Sequence, residues 1–189
     1  MRATVAQTAE QSLRKRRVKG SIPFGGSYIL ILPVFQIIGL LTGILSLGET
    51  MKIFIAGVMQ GSFKGKGIQA QNYRQIIGDA VKINHPTAEI VDPFSLFPNS
   101  VEYDDQRAKQ TLFAMAAEAG FSDILIAYLP EASMGTTLEI VRAYDNGKYI
   151  ISITPMEENW VIRAMSTQIF PSLDEFCDWV QKTDLESIV

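Results

Sequence analysis

The stretch "DILIAYLPEASMGTTLEIVRAYDNG", residues 123–147, decides the fold. Its first seven residues form an apolar run led by an aspartate, the length of a buried strand. Pro130 ends the run. From Met134 the composition is helical, and Gly147 closes the segment where a helix stop is expected. A buried strand that feeds a helix across a short loop is half of a β–α–β unit.

The same alternation runs outward in both directions. Upstream, "KIFIAG" (residues 52–57) is a short apolar run ended by glycine. The segment after it repeats Ile68, Tyr73, Ile76, Ile77 and Val81 at helical spacing. "AEIVD" (88–92) is a second strand closed by Pro93, followed by a loop and then a helix over residues 104–120 with Gly120 as its stop. Downstream, "YIISI" (149–153) is a fourth strand, residues 158–166 a short helix and "TQIF" (167–170) a final strand. A C-terminal amphipathic helix follows, with Ser172 as its N-cap. Strands alternating with helices predict an α/β fold: a flavodoxin- or Rossmann-like three-layer sandwich on a five-stranded parallel sheet. Right-handed crossovers put every strand's C-terminal end on one edge, where such sheets bind ligands.

Bulk properties narrow the function. A chain of 189 residues is long enough for one domain with a full core, and its net charge of −3 argues against a nucleic-acid binder. Cys177 is the single cysteine, so no disulfide forms within the chain, and His85 is the single histidine. Two such residues do not make a His/Cys metal site, so no metal and no cofactor is expected. His85, next to Pro86, reads as a solvated loop residue.

The chain divides near Met51. Residues 1–50 carry "RKRRVK" (14–19) and an uncharged run of 20 residues, 28–47. As a helix that run would reach about 30 Å, the depth of a bilayer core. Three readings stand for it: a membrane anchor, a long signal peptide, or upstream sequence joined to a gene whose start is Met51. The basic cluster precedes the apolar run, which would orient everything after it outward. The domain at 51–189 looks built for an intracellular metabolite. The expectation is therefore a cytoplasmic protein, with single-pass anchoring through residues 28–47 as the alternative.

Three loops bring unusual chemistry to the binding edge: "GVMQGS" after the first strand, "DPFSLFP" after the second and "PEASMGTTLE" after the third. In the third, Ser133 stands where a helix N-cap would; the alternative is that its hydroxyl faces a ligand instead. The helix N-terminus behind it offers free N–H groups to a phosphate. Gly135 lets the backbone approach a ligand, and Thr136 adds a donor. Glu139 lies about one turn below the mouth, where the dipole favours its ionised form. It reads either as a nucleophile for an anomeric carbon or as an ordinary helix-stabilising charge. The first loop, with Gly57, Gln60 and Gly61, is glycine-rich but matches neither G-x-G-x-x-G nor G-K-[ST]. It suits a small polar ligand. Asp92, at a strand end, is either a turn residue or a ligand contact.

From Met51 to about Val180 the chain resembles the nucleoside 2-deoxyribosyltransferase superfamily. The resemblance is carried by "IFIAG" and by "SDILIAYLPEASMGTTLEI", an Asp-led strand, a short loop, a small residue, a glycine and a glutamate four residues beyond it. It implies that Glu139 attacks C1′ of the sugar. Ser133 is more like the 2′-deoxynucleoside 5′-phosphate N-hydrolase branch, where the matching serine contacts the 5′-phosphate. "WVIRAMS" resembles a segment reaching the phosphate of a neighbouring subunit, which implies a homodimer with Arg163 across the interface. One departure stands out. Where the family carries an aspartate that handles the leaving base's proton, this chain has Met115, and Asp92, Asp104 or Asp105 would have to replace it. The resemblance thus implies cleavage or transfer of the N-glycosidic bond of a nucleotide or nucleoside. Met115 motivates the alternative of a nucleotide- or sugar-phosphate-binding module without chemistry. Trp160 and Trp179 read as packing or interface residues.

Overall fold

The computed structural model describes residues 50–61 and 65–189. Residues 1–49, with the basic cluster and the apolar run at 28–47, lie outside the described residues. Among the described residues no helix is long and apolar enough to cross a membrane.

Five parallel strands form one sheet: β1 (Lys52–Gly57), β2 (Glu89–Val91), β3 (Ile124–Tyr128), β4 (Tyr149–Ile153) and β5 (Gln168–Phe170). Their spatial order is β2-β1-β3-β4-β5, the flavodoxin-like arrangement. The order reverses between β1 and β3, so their crossover helices leave on opposite faces and open a crevice at the C-terminal ends. The register puts Gly57 beside Tyr128 at that point.

Side-chain alternation explains the two layers of core. Ile53 and Ile55 of β1, with Ile124 and Ile126 of β3, pack on one face against helix α1 (Asn72–Asn84) and helix α6 (Leu173–Val180). Phe54 and Ala56, with Leu125 and Ala127, face the other way. There they meet helix α3 (Asp105–Phe121), helix α4 (Met134–Asp145) and the short helix α5 (Trp160–Met165). Both faces of the central strands are buried, which is why β1 and β3 read as unbroken apolar runs rather than alternating ones.

Several local expectations need correction. Residues 93–96, read as loop, form a one-turn helix, α2 (Pro93–Leu96), because Asp92 caps it through the Phe94 amide at 3.0 Å and Pro93 suits the first helical position. Gly120 does not stop α3; the helix runs on to Phe121. A Cβ at Gly120 would lie 2.9 Å from the Asn146 side chain and 3.2 Å from the Arg142 carbonyl, so the glycine serves the close approach of α3 and α4. Gly147, at φ +65°, does end α4 as expected. His85 is not solvated but only 6 % exposed. Its Nε2 lies 3.2 Å from the Leu185 amide and 3.2 Å from the Thr183 carbonyl, tying the end of α1 to the C-terminal segment. Trp179 packs on Phe170 and Phe176, whereas Trp160 is 86 % exposed.

Candidate active site

The site begins with how the third loop turns into α4. Ser133 has extended backbone, as an N-cap should, and its Oγ accepts from the Thr136 amide at 3.4 Å and the Thr136 hydroxyl at 3.0 Å. The Thr137 hydroxyl donates to the Ser133 carbonyl at 2.8 Å. With two bonds accepted, the Ser133 hydroxyl keeps its own proton to donate outward. The first-turn amides of Met134 and Gly135 precede the helical hydrogen-bond ladder and have no partner within it. A Cβ at Gly135 would meet nothing within 4 Å, so the backbone there faces open space.

That space is a cleft of about 330 Å³ at the C-terminal end of β1, walled by the segment after β2, by α3 and by the start of α4. Glu139 lines it from α4, and Arg74 lines it from α1. Tyr73, beside Arg74, stacks on Tyr128 with ring centroids 4.4 Å apart. Burial pushes the Tyr73 phenol up, so it stays neutral over the working pH range.

Glu139 does not behave as the sequence suggested. Burial pushes its carboxyl up to about 8, and only the Arg74 guanidinium acts in the opposite direction. The helix dipole does not hold it ionised at neutral pH; desolvation by the cleft walls outweighs it. Among the described residues no hydrogen bond reaches its carboxylate.

Arg74 escaped the sequence reading. It is 5 % exposed, with Nη1 donating to the Ile55 carbonyl at 2.7 Å and to Asp92 Oδ1 at 2.9 Å. Its Nε donates to Gln71 Oε1 at 2.7 Å, and Nη2 lies 3.4 Å from the Gly57 carbonyl. A signal was present: Arg74 precedes Ile77 by three and Val81 by seven, so a cation stands on the apolar stripe of α1.

Of the residues singled out in the sequence, Gly57, Gln60, Gly61, Ser133, Gly135, Thr136 and Glu139 all line this one cleft. Two do not. Asp92 stands behind Arg74, accepting from it, from the Phe94 amide and from the Ser95 hydroxyl at 2.5 Å; it is a turn residue and an anchor for the guanidinium. Arg163 lies on α5 outside the cleft, exposed and paired with Glu158 at 3.1 Å. Gly61, at φ +57°, abuts the Glu131 carboxylate, which Gln69 also holds, so the first and third loops meet at the rim.

Met115 lines the cleft, at the place where the resemblance puts an aspartate. None of the three aspartates named as substitutes lines the cleft. Asp104 caps α3 through the Arg107 amide at 2.8 Å, and neither it nor Asp105 lines the cleft. Among the described lining residues Glu139 is the one carboxylic acid. Tyr103, under the Arg107 guanidinium at 3.9 Å, brings a phenol to the rim.

No family model matches the chain, and no curated protein matches it in sequence. Its fold is similar to that of a 2-deoxyribosyltransferase from the psychrotolerant bacterium Bacillus psychrosaccharolyticus, with a TM-score of 0.52 at 15 % identity, over 72 % of this chain and 95 % of that one. It is also similar to a conserved protein from Enterococcus faecalis V583, with a TM-score of 0.49 at 14 % identity over 70 % of this chain and 98 % of that one. A CMP N-glycosidase from Clostridium botulinum gives a TM-score of 0.43 at 20 % identity, over 70 % of this chain and 99 % of that one. At these identities the likeness is one of fold.

Proposed function

We propose that the chain cleaves or transfers the N-glycosidic bond of a nucleotide or nucleoside, with Glu139 as nucleophile and hydrolysis of a nucleoside monophosphate preferred. The observation that carries the reading is the convergence of Glu139 and the N-terminus of α4 on one cleft. An anion held by the Ser133 hydroxyl and the Met134 and Gly135 amides would place the attached sugar over the next turn of the helix, where Glu139 stands. The ionised carboxylate then attacks the anomeric carbon, the bond to the base breaks, and water or an acceptor base releases the sugar from the ester. The fold likeness to a 2-deoxyribosyltransferase used in nucleoside synthesis agrees with this chemistry.

The leaving base must collect a proton, and Met115 has none to give. This observation favours a second reading, a module that binds a nucleotide or sugar phosphate in the same cleft without turning it over. Incubation of the full chain with deoxynucleoside monophosphates separates the two. Free base appears under the first reading; under the second, ligands raise the melting temperature and no base is released.

A further inference from the structure

Glu139 sits in a cleft whose other walls are mostly uncharged. α3 lines it with Ala108, Thr111, Leu112 and Met115, none of which ionises. The charged or titratable groups around Glu139 are Tyr73 and Arg74 from α1, Tyr128 stacked on Tyr73, Asp92 beyond Arg74, Tyr103 on the rim and Glu131 on the third loop. Arg74 is the one cation among the described lining residues. It cannot swing to meet the carboxylate freely, because Ile55, Gly57, Gln71 and Asp92 hold it on all sides. Its ion pair is with Asp92, and it forms none with Glu139.

We propose that Arg74 is a positioning residue that controls the ionisation of Glu139: a permanent charge, fixed in the cleft floor by β1 carbonyls and partly balanced by Asp92, sets how readily the neighbouring carboxylate forms. Two opposed consequences follow. Removing the guanidinium leaves Glu139 in an apolar cleft with no compensating charge, so the carboxylate forms less readily. Removing the charge of Asp92 leaves Arg74 less balanced, so the carboxylate forms more readily. This inference deepens the catalytic reading of Glu139 and rests on it for its meaning, but its test needs no substrate.

The test is the titration of Glu139 in full-length protein labelled with carbon-13 at glutamate side-chain carboxyls, the signal being assigned by its loss in Glu139→Gln. Arg74→Met should move the midpoint upward by about one pH unit, and Asp92→Asn should move it downward by a smaller amount. Arg74→Lys should restore most of the wild-type position. A loss of packing alone would not move the two charge variants in opposite directions. If Arg74→Met fails to fold, the direction seen in Asp92→Asn decides. An unmoved midpoint, or a shift in the same direction in both variants, overturns the proposal. Absence of base release from the wild type would sink the catalytic reading and leave this titration untouched.

Discussion

The Tyr73 phenol occupies the place where a side chain at Gly57 would begin: a Cβ there would lie 2.8 Å from two ring carbons of Tyr73. Gly57 ends β1 on the cleft floor, and the Tyr73 hydroxyl reaches the Val58 carbonyl at 3.4 Å. Gly57→Ala should therefore destabilise the protein by about 1–3 kcal/mol in urea unfolding, through overpacking. Combined with Tyr73→Leu, which vacates the contested space, the added cost should fall below that in the parent, as a double-mutant cycle would show.

The carboxyl of Glu139 is raised from its ordinary 4.5 to about 8, and this carries a stability consequence of definite sign. Between those values the folded chain holds a proton that the unfolded chain has lost, so stability falls as pH rises through that window. Glu139→Gln removes the dependence. It should match the wild type at pH 4 and exceed it at pH 9 by roughly 1–3 kcal/mol, allowing for solvent screening at a half-buried site. Thermal unfolding at the two pH values checks this. Catalysis should run the other way: below about 8 the value of kcat/KM should climb about tenfold per pH unit, then level off.

Ser133 serves both as helix cap and as proposed anion donor, and one substitution separates the roles. Aspartate is as good an N-cap as serine, so Ser133→Asp should change stability by less than about 0.5 kcal/mol. Its charge opposes a phosphate at the same helix end. The KM for a nucleoside monophosphate should rise at least about tenfold, while that for the unphosphorylated nucleoside changes little. Steady-state kinetics on the substrate pair reads the difference.

Met115 lines the cleft, and under the proposed glycosidic chemistry a proton donor there would help the base to leave. Met115→Asp should raise the rate of base release on the order of 10²-fold if the leaving step limits turnover. Single-turnover assays, which isolate the chemistry from product release, measure it. An unchanged rate would mean that a proton donor at this position does not assist glycosidic cleavage.

Much of this architecture could be read from residues in order. The apolar runs at 52–57, 124–128 and 149–153 are strands buried on both faces, and their alternation with helices leaves one sheet topology class. The third loop was legible as a helix start, with Ser133 as its cap, while the sequence left Glu139 open between a nucleophile and an ordinary charge. Arg74 and Asp92 were not, because their meaning comes from a pairing across 18 residues that only the fold creates. His85 was misjudged for the same reason: the partners that bury it lie 98 and 100 residues away in sequence. The charge state of Glu139 depends on burial by segments far apart in sequence and on Arg74, which no local window contains.

The most direct test of the account is release of free base from a deoxynucleoside monophosphate by the full chain, wild type against Glu139→Gln, followed by chromatography. The account predicts release by the wild type and a loss of at least about 10³-fold in the variant, with ligand-induced thermal stabilisation retained in both. Release that survives Glu139→Gln would contradict it.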